Sequence, residues 1–581
     1  MKIKVLLLYP EIPITYWSFK YGIAFVGKKG YFPPLGLLTI AAMLPDDYEV
    51  KLIDMNISKL NEDDILDSDI VFISSMIIQK KSFDEAVRMC NRLGKPIVAG
   101  GPYATSTYKK IEGIDHFVLN EAETTLPAFL SDFRCGKAKR IYTDATKPDI
   151  TSTPVPRFDL TNMNQYAAIC LQFSRGCPFN CEFCDITEMF GRKTRTKSKE
   201  QFIKEMNCAY NTGFRGCLFI VDDNFIGNKK NVKMLLPAII KWQRERRYPF
   251  SLITQTSIDL AQDEELMNMM IDAGFDSVFL GIETPVKESL KLTKKNQNLK
   301  SDMLESIITI QKKGMEVMGG FIIGFDNDPD NIFDLQIDFI QKAGIPSAMT
   351  GILMALPNTQ LYRRLKSEDR IIEDSSGNNT HHMQINFQPK MDMESLLIGY
   401  KYLISEIYKP EKYFERCLTL IKRLPVSKFS YIGSWRYVRA LLLSMIRQSF
   451  SNYGYHYLKF ITKGMLTNPR HFTTIIRLAI FGHHYFTITR ELLTADSFKN
   501  HLDELTQSLR DRMAGMSVSN FDDALKKIQS FRNILVAQVQ NEYFSIHKDF
   551  RMLVEDSLKY FHKITEEVIS EWENTWCASD L

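Results

Sequence analysis

Three cysteines, Cys177, Cys181 and Cys184, stand close together in the stretch SRGCPFNCEFCDI, with Phe183 directly before the last. Thiolates are soft ligands, and a C-x3-C-x2-C spacing on one loop lets them converge on an iron–sulfur cluster or on zinc. A structural zinc site closes its shell with a fourth Cys or His nearby. The next cysteines, Cys208 and Cys217, fall instead in a helical pattern and at the start of a strand pattern. Three ligands and an open coordination position are therefore the better reading, ahead of zinc or a chance gathering of core cysteines. A metal centre with an open position can bind a small molecule directly.

The loop must be held by the elements on either side of it. From about residue 165 to 385, apolar runs alternate with helix-length stretches: AAICLQFS, GCLFIVDD, FSLITQTS, SVFLGIE, VMGGFIIGF and SAMTGILMAL. Such a series predicts a partial barrel of βα units, with ligand-binding residues at the carboxyl ends of the strands. The cysteines follow the first of these strands. Residues 1–142 carry a second series, KVLLLYP, YEVKLIDMN, DIVFISSM, PIVAGG and HFVLNEAE, which predicts a doubly wound, Rossmann-like domain. Residues 143–164, rich in Thr, Pro and Asp, read as a linker. Residues 386–581 lose the strand signal and read as mainly helical.

The bulk numbers agree with several folded domains. The chain has 581 residues, more than one hydrophobic core organises, and 45% hydrophobic with 24% charged residues excludes a disordered chain. Ten mostly solitary cysteines exclude a secreted disulfide scaffold and suit a reducing cytoplasm. The N-terminal run MKIKVLLLYP reads as a buried strand rather than a signal peptide, and no apolar run is long enough to span a bilayer.

The C-x3-C-x-Phe-C motif resembles the radical S-adenosylmethionine superfamily. That resemblance implies a [4Fe–4S] cluster on Cys177, Cys181 and Cys184 whose free iron chelates S-adenosylmethionine, with Phe183 beside it. It also implies cofactor contacts from Asp222 and Asp223 in VDDNF, from Glu283 in LGIET, and from Gly320 and Gly324 in GGFIIGF. A carboxylate suits the cofactor's ammonium, and glycine permits close backbone approach. Asp223 also suits a helix cap, and the glycines suit turns.

Residues 1–142 resemble the cobalamin-binding domains that precede many such barrels. The resemblance places the corrinoid against Pro34, Leu35 and Gly36, Ser74 and Ser75, and Gly100 and Gly101, where small residues leave room. The D-x-H-x-x-G motif of the cobalamin mutases is absent. The domain's one histidine, His116, reads as structural, so the lower face of cobalt is expected to lack a histidine from this domain.

Beyond the barrel, every charged residue from Lys422 through Arg490, Lys428 included, is basic, and aromatics are interleaved. This segment suits peripheral contact with an anionic membrane, an apolar substrate, or pairing with the acid-rich tail; no nucleic-acid reading module accompanies it. His483 and His484 read as packing residues. The three-part layout resembles the group that includes hopanoid C-2 methylase. It implies a cobalamin-dependent radical methyltransferase, cytoplasmic or membrane-peripheral, acting on an unactivated carbon of a small, lipid-like molecule and drawing electrons from a flavodoxin or ferredoxin. The alternatives are radical rearrangement or cyclisation, 3-amino-3-carboxypropyl transfer, and a non-enzymatic iron–sulfur sensor.

Overall fold

The computed structural model describes residues 2–375, 377, 385–425, 435–515 and 521–579. Most of the loop EDSSGNNTHH and residues 426–434 of the basic run, Lys428 among them, lie outside that set.

The N-terminal apolar runs form β1 (Ile3–Tyr9), β2 (Tyr48–Asp54), β3 (Ile70–Ser74), β4 (Ile97–Gly100) and β5 (His116–Val118), joined by a short β6 (Ile141–Tyr142). All pair in parallel, in the order β2-β1-β3-β4-β5-β6. Along β1, Leu6 and Leu8 bury into one layer of the core while Val5 and Leu7 bury into the other. Cover on both faces is why these strands read as unbroken apolar runs. The order reverses beside β1, so its carboxyl end and that of β3 border a crevice of the kind in which doubly wound sheets hold ligands. β6 had no sequence signal, since two residues, one of them exposed Ile141, show no period.

The second sheet comprises β7 (Ala168–Leu171), β10 (Gly216–Ile220), β11 (Phe250–Thr256), β12 (Phe275–Glu283), β13 (Glu316–Ile323) and β14 (Ala348–Ile352). Its order, β14-β13-β12-β11-β10-β7, is that of a parallel half-barrel. Between β7 and β10, a small antiparallel ribbon of β8 (Ser174–Arg175) and β9 (Arg195–Thr196) frames the cysteine loop. Residues 143–164, between the two sheets, form only short 3-10 turns.

A buried ionic seam joins the two sheets. Arg175 on β8 donates to Glu121 and Glu123 at 2.9 and 3.0 Å, and Arg195 on β9 donates to Glu121 at 2.8 Å. The two glutamates stand just beyond the carboxyl end of β5. Guanidinium and carboxylate groups tolerate this burial because each is paired through charge-assisted hydrogen bonds. Nearby, the Tyr166 hydroxyl donates to Asp54 at 2.8 Å.

The helices Met393–Ile407 and Pro410–Arg423 cover β14, with Tyr400 and Tyr408 donating to the carbonyls of Thr350 and Ala348. Helices Trp435–Ser449, Gly454–Thr467 and Phe472–Ala514 follow. The chain divides into two compact units, Met1–His484 and Tyr485–Leu581. In the second, helices Phe521–Ser545 and Glu555–Ser579 are tied by Arg532 donating to Glu566 at 2.7 Å. Among the described residues, no helix is long and apolar enough to cross a membrane.

Candidate functional site

The cysteine loop is held from three sides. At the end of β10, Asp222 is buried and both its oxygens are engaged: one accepts from the Phe173 amide at 2.7 Å, the other from the Ser174 hydroxyl at 2.6 Å. Asp223 points the other way, as alternation in extended chain requires, and accepts from the Gly176 amide through one oxygen at 2.8 Å. Gly176 has φ +90°, and a Cβ there would meet three carbonyl oxygens at 2.8 to 3.2 Å, so only glycine fits before Cys177. From the far side, the Glu182 amide donates to Thr293 and its carboxylate accepts from Arg364 at 2.6 Å.

Burial pushes the Asp222 carboxyl up to about 7 against the pull of its two donors, and the Asp223 carboxyl up to about 6. Burial likewise raises the Cys177 thiol and pushes Cys184 up to about 12. These thiols must therefore release protons when they take a metal, which couples loading to pH. Among the described residues, no three His, Cys, Asp or Glu side chains gather tightly enough for a single ion, the three cysteines included.

Opposite the loop, the β12–β13 register shifts between Gly281 and Glu283, and Glu283 adopts φ +65°. A non-glycine residue in that region carries backbone strain, which here aims the carboxylate inward. Glu283 accepts from Lys295 at 2.6 Å, and a Cβ on Gly281 would collide with both groups. Burial opposes the Lys295 charge, but Glu283 and the thiols of Cys181 and Cys184 outweigh it and raise the lysine pKa.

The polar stretch from Lys295 to Asn298, absent from the sequence-derived site, thus belongs to it. The Gln297 amide lies 3.6 Å from the Cys181 sulfur, and Asn298 donates to the carbonyls of Gly281 and Ile282 at 3.0 Å. Gln297 Oε1, Asn298 Oδ1, Asn224 Oδ1 and Thr256 Oγ1 are buried without hydrogen-bond partners. Orphaned polar atoms are costly unless a ligand satisfies them. Three thiols facing a buried ammonium–carboxylate pair and orphan polar atoms suit an iron–sulfur cluster bearing a zwitterionic ligand.

Gly320 lies within β13 and Gly324 just beyond its end, and the space at the two is filled differently. A Cβ on Gly320 would press on the Phe279 ring, whereas Gly324 has φ +94° and abuts Leu396. Asp328 accepts from the amides of Gly324 and Phe325 and fixes this turn, and Phe183 packs with its ring centroid 6.0 Å from that of Phe325.

In the first sheet, Pro34 precedes helix Leu35–Met43; Leu35 is half-buried, and nothing approaches within 4 Å of a Cβ placed on Gly36. Ser74 ends β3, and the hydroxyl of buried Ser75 has no partner. A Cβ on Gly100 would strike the Val118 carbonyl at 2.9 Å, and one on Gly101, at φ +81°, the Ser74 hydroxyl at 2.3 Å. Bare backbone, open space and an orphaned hydroxyl fit a large corrinoid at this edge. His116 lies at the other end of its strand, 2.7 Å from the Lys139 carbonyl through Nδ1, away from that edge.

Between the sheets, the 16–32 segment lines the half-barrel with aromatic rings. Trp17 packs edge-on to Phe279 at 6.1 Å and Phe32 against Phe219 at 5.4 Å, while the Trp17 indole N–H is buried without an acceptor. His484 packs against Phe19, with Nε2 3.1 Å from the Tyr16 carbonyl, and His483 meets the Tyr453 hydroxyl at 2.5 Å.

Family comparisons match residues 25–130 to a B12 binding domain, 171–357 to the radical SAM superfamily and 359–497 to a domain of unknown function, DUF4070. An uncharacterized methyltransferase of Synechocystis sp. (strain ATCC 27184 / PCC 6803 / Kazusa) is 38% identical over 516 residues, spanning 88% of this chain and 96% of its own. The hopanoid C-2 methylase of Rhodopseudomonas palustris (strain TIE-1) is 32% identical over 418 residues, spanning 71% of this chain and 78% of its own. Two solved structures share the fold. OxsB, a cobalamin-dependent S-adenosylmethionine radical enzyme, covers 94% of this chain and 84% of its own with TM-score 0.55 at 15% identity. TsrM, a radical S-adenosylmethionine methyltransferase from Kitasatospora setae, covers 77% and 99% with TM-score 0.56 at 14% identity.

Proposed function

Because the chain belongs to the B12-binding radical S-adenosylmethionine methyltransferases, we propose that it methylates an unactivated carbon of a small, lipid-like molecule. Its cofactors are a [4Fe–4S] cluster, S-adenosylmethionine and cobalamin. When bound, they supply one-electron cleavage of S-adenosylmethionine and carriage of a methyl group. The remaining work falls to this chain's side chains.

Cys177, Cys181 and Cys184 would hold the cluster, with Phe183 packed beside it. Lys295 offers a cation to the carboxylate of the methionine end, and Glu283 and the second oxygen of Asp223 offer acceptors to its ammonium. Asp222 acts at one remove, fixing the turn that leads into the cysteine loop. Gly320 and Gly324 keep the end of β13 close to the adenosyl part. Pro34, Leu35, Gly36, Ser74, Ser75, Gly100 and Gly101 would bound the corrinoid. The seam of Arg175, Arg195, Glu121 and Glu123 keeps the two cofactor edges in register.

The aromatic lining from Trp17, Phe32, Phe219 and Phe279 is the observation that carries the substrate class. Apolar rings favour an apolar body and keep water from competing for the space, while the Trp17 N–H stands ready for one polar atom. The hopanoid C-2 methylase among the relatives supports the same class, and a flavodoxin or ferredoxin fits the electron donor.

The test is anaerobic reconstitution with iron, sulfide and cobalamin, followed by turnover with deuteromethyl-labelled S-adenosylmethionine and polycyclic or isoprenoid lipids. A lipid carrying the labelled methyl, formed with 5′-deoxyadenosine and lost in Cys181→Ala, is expected. Methylthioadenosine as the product, or cleavage that needs no corrinoid, would overturn the proposal.

A further inference from the structure

Helix Trp435–Ser449 packs Ala440, Leu441 and Leu443 against Phe25, Ile476 and Ile480, yet among its described residues it also buries polar side chains and turns apolar ones outward. Its buried positions, four residues apart, are Ala440, Ser444 and Gln448; Gln448 donates to Ser444 at 2.8 Å, and Ser444 lies 3.0 Å from the Tyr457 hydroxyl. Its outward positions are Leu442, Met445 and Ile446, at 51%, 42% and 63% exposure, followed by Phe450 at 90%. The next helix, Gly454–Thr467, adds Tyr455 at 72% and Leu466 at 81%. A helix with one face to water normally keeps such large apolar side chains on its packed face. Large exposed apolar side chains gathered on two neighbouring helices mark an interaction surface.

We infer that this hairpin docks on an anionic lipid bilayer. The charges single out that occupant: Arg439, Arg447, Lys459 and Lys463 flank the apolar face, and the segment has no acidic residue. A second copy of the chain would set like charge against like. An acidic soluble protein would complement the cations but leave Phe450 and Leu466 facing water. An anionic bilayer accepts both, with apolar side chains at the acyl boundary and cations among the headgroups. A recess of about 210 Å³ lined by Gly27, Lys28, Asn164 and Arg439 lies at the foot of the hairpin and has room for a phosphate-bearing headgroup. Arg447, over the Phe25 ring with Cζ 5.3 Å from its centroid, ties the helix to the 24–26 turn. The inference deepens the lipid-like reading of the substrate, on which only the reason for docking rests. Docking itself is independent of turnover.

The experiment mixes the reconstituted full-length protein with vesicles of phosphatidylcholine alone or with added phosphatidylglycerol, and measures co-sedimentation at low and high salt. Binding to the phosphatidylglycerol vesicles should exceed the other by about tenfold or more and weaken with salt. The double variant Ile446→Ser/Phe450→Ser should lose about tenfold on those vesicles while still forming 5′-deoxyadenosine from soluble S-adenosylmethionine. Arg439→Gln/Lys463→Gln should lower only the preference for phosphatidylglycerol. Equal or absent binding to both vesicles would overturn the inference. So would light scattering that shows a dimer broken by Phe450→Ser without vesicle binding, since a second copy would then occupy the face. Vesicle binding without lipid methylation would sink the substrate reading and leave the docking surface standing.

Discussion

Two parallel sheets of six strands carry the candidate sites at their carboxyl ends, and the two edges are built by opposite means. The half-barrel presents charge. Glu283 and Lys295 pair with each other and are backed by Asn298 and Gln297, while Asp223 is held by the Gly176 amide. At the N-terminal sheet the carboxylates Asp54, Glu121 and Glu123 are taken up by Tyr166, Arg175 and Arg195, and Gly36, Gly100, Gly101, Ser74 and Ser75 leave space and bare backbone. A small zwitterion is recognised by point contacts that must be prepaid in desolvation, whereas a broad macrocycle is recognised by shape. The first kind of site is therefore fragile to loss of one charge, and the second to the arrival of one side chain.

The sharpest way to break that contrast is Lys295→Met. It leaves Glu283 buried without its cation, so it should cost about 3 kcal/mol of stability and lower S-adenosylmethionine cleavage by about a hundredfold. Glu283→Gln should act in the same sense, and the double variant should recover part of the stability because no lone charge remains. Anaerobic urea denaturation and 5′-deoxyadenosine yield check this. Single variants with unchanged midpoints would mean that the pair is solvated and the charged-site half of the contrast is wrong.

Gly36→Phe addresses the other half with a smaller effect. The ring enters open space in the first turn of helix Leu35–Met43, so the protein should fold at least as well as the parent. Retained cobalamin should fall about tenfold, and methylation with it, while S-adenosylmethionine cleavage persists. Gly101→Ala is the counterpart: at φ +81° and against Ser74 it should destabilise the sheet edge itself. If Gly36→Phe keeps its corrinoid, the macrocycle lies elsewhere on this edge.

The strands of both sheets were legible because burial on both faces writes unbroken apolar runs, and the cysteine loop because its spacing is local. Lys295 was not legible. In LTKKNQN it reads as a solvated charge run, and only the return of that stretch beneath the end of β12 buries it. Asp222 and Asp223 share a motif, but which carboxylate is engaged through both oxygens and which through one depends on the alternation of side chains at a strand end. Helix Trp435–Ser449 shows the limit most plainly. Apolar residues run nearly all round YVRALLLSMIRQSF, so periodicity does not say that Ala440, Leu441 and Leu443 turn inward while Leu442, Met445 and Ile446 turn outward.

The smallest effect separates Asp222 from Asp223 by titration. Burial lifts the folded Asp222 pKa to about 7, above the ordinary carboxylate value, so the folded state holds its proton more tightly than the unfolded chain. The sign follows from linkage: this contribution to stability is greatest at low pH and is lost as pH rises towards the folded value, with a slope of at most about 1.4 kcal/mol per pH unit for one proton. Asp223, lifted to about 6, runs out of slope earlier, so Asp222 outlasts it in the interval just below neutrality. The Asp222→Asn difference separates its share from that of Glu205, Asp276 and Glu316, which burial also raises. Urea midpoints of the apoprotein should fall across that interval in the parent, and Asp222→Asn should flatten the fall. Ser174→Ala removes a donor that holds the carboxyl down and should move the fall to higher pH. Parallel curves for parent and Asp222→Asn would place the proton on another buried carboxyl, and the turn into the cysteine loop would then be held by a permanently charged Asp222.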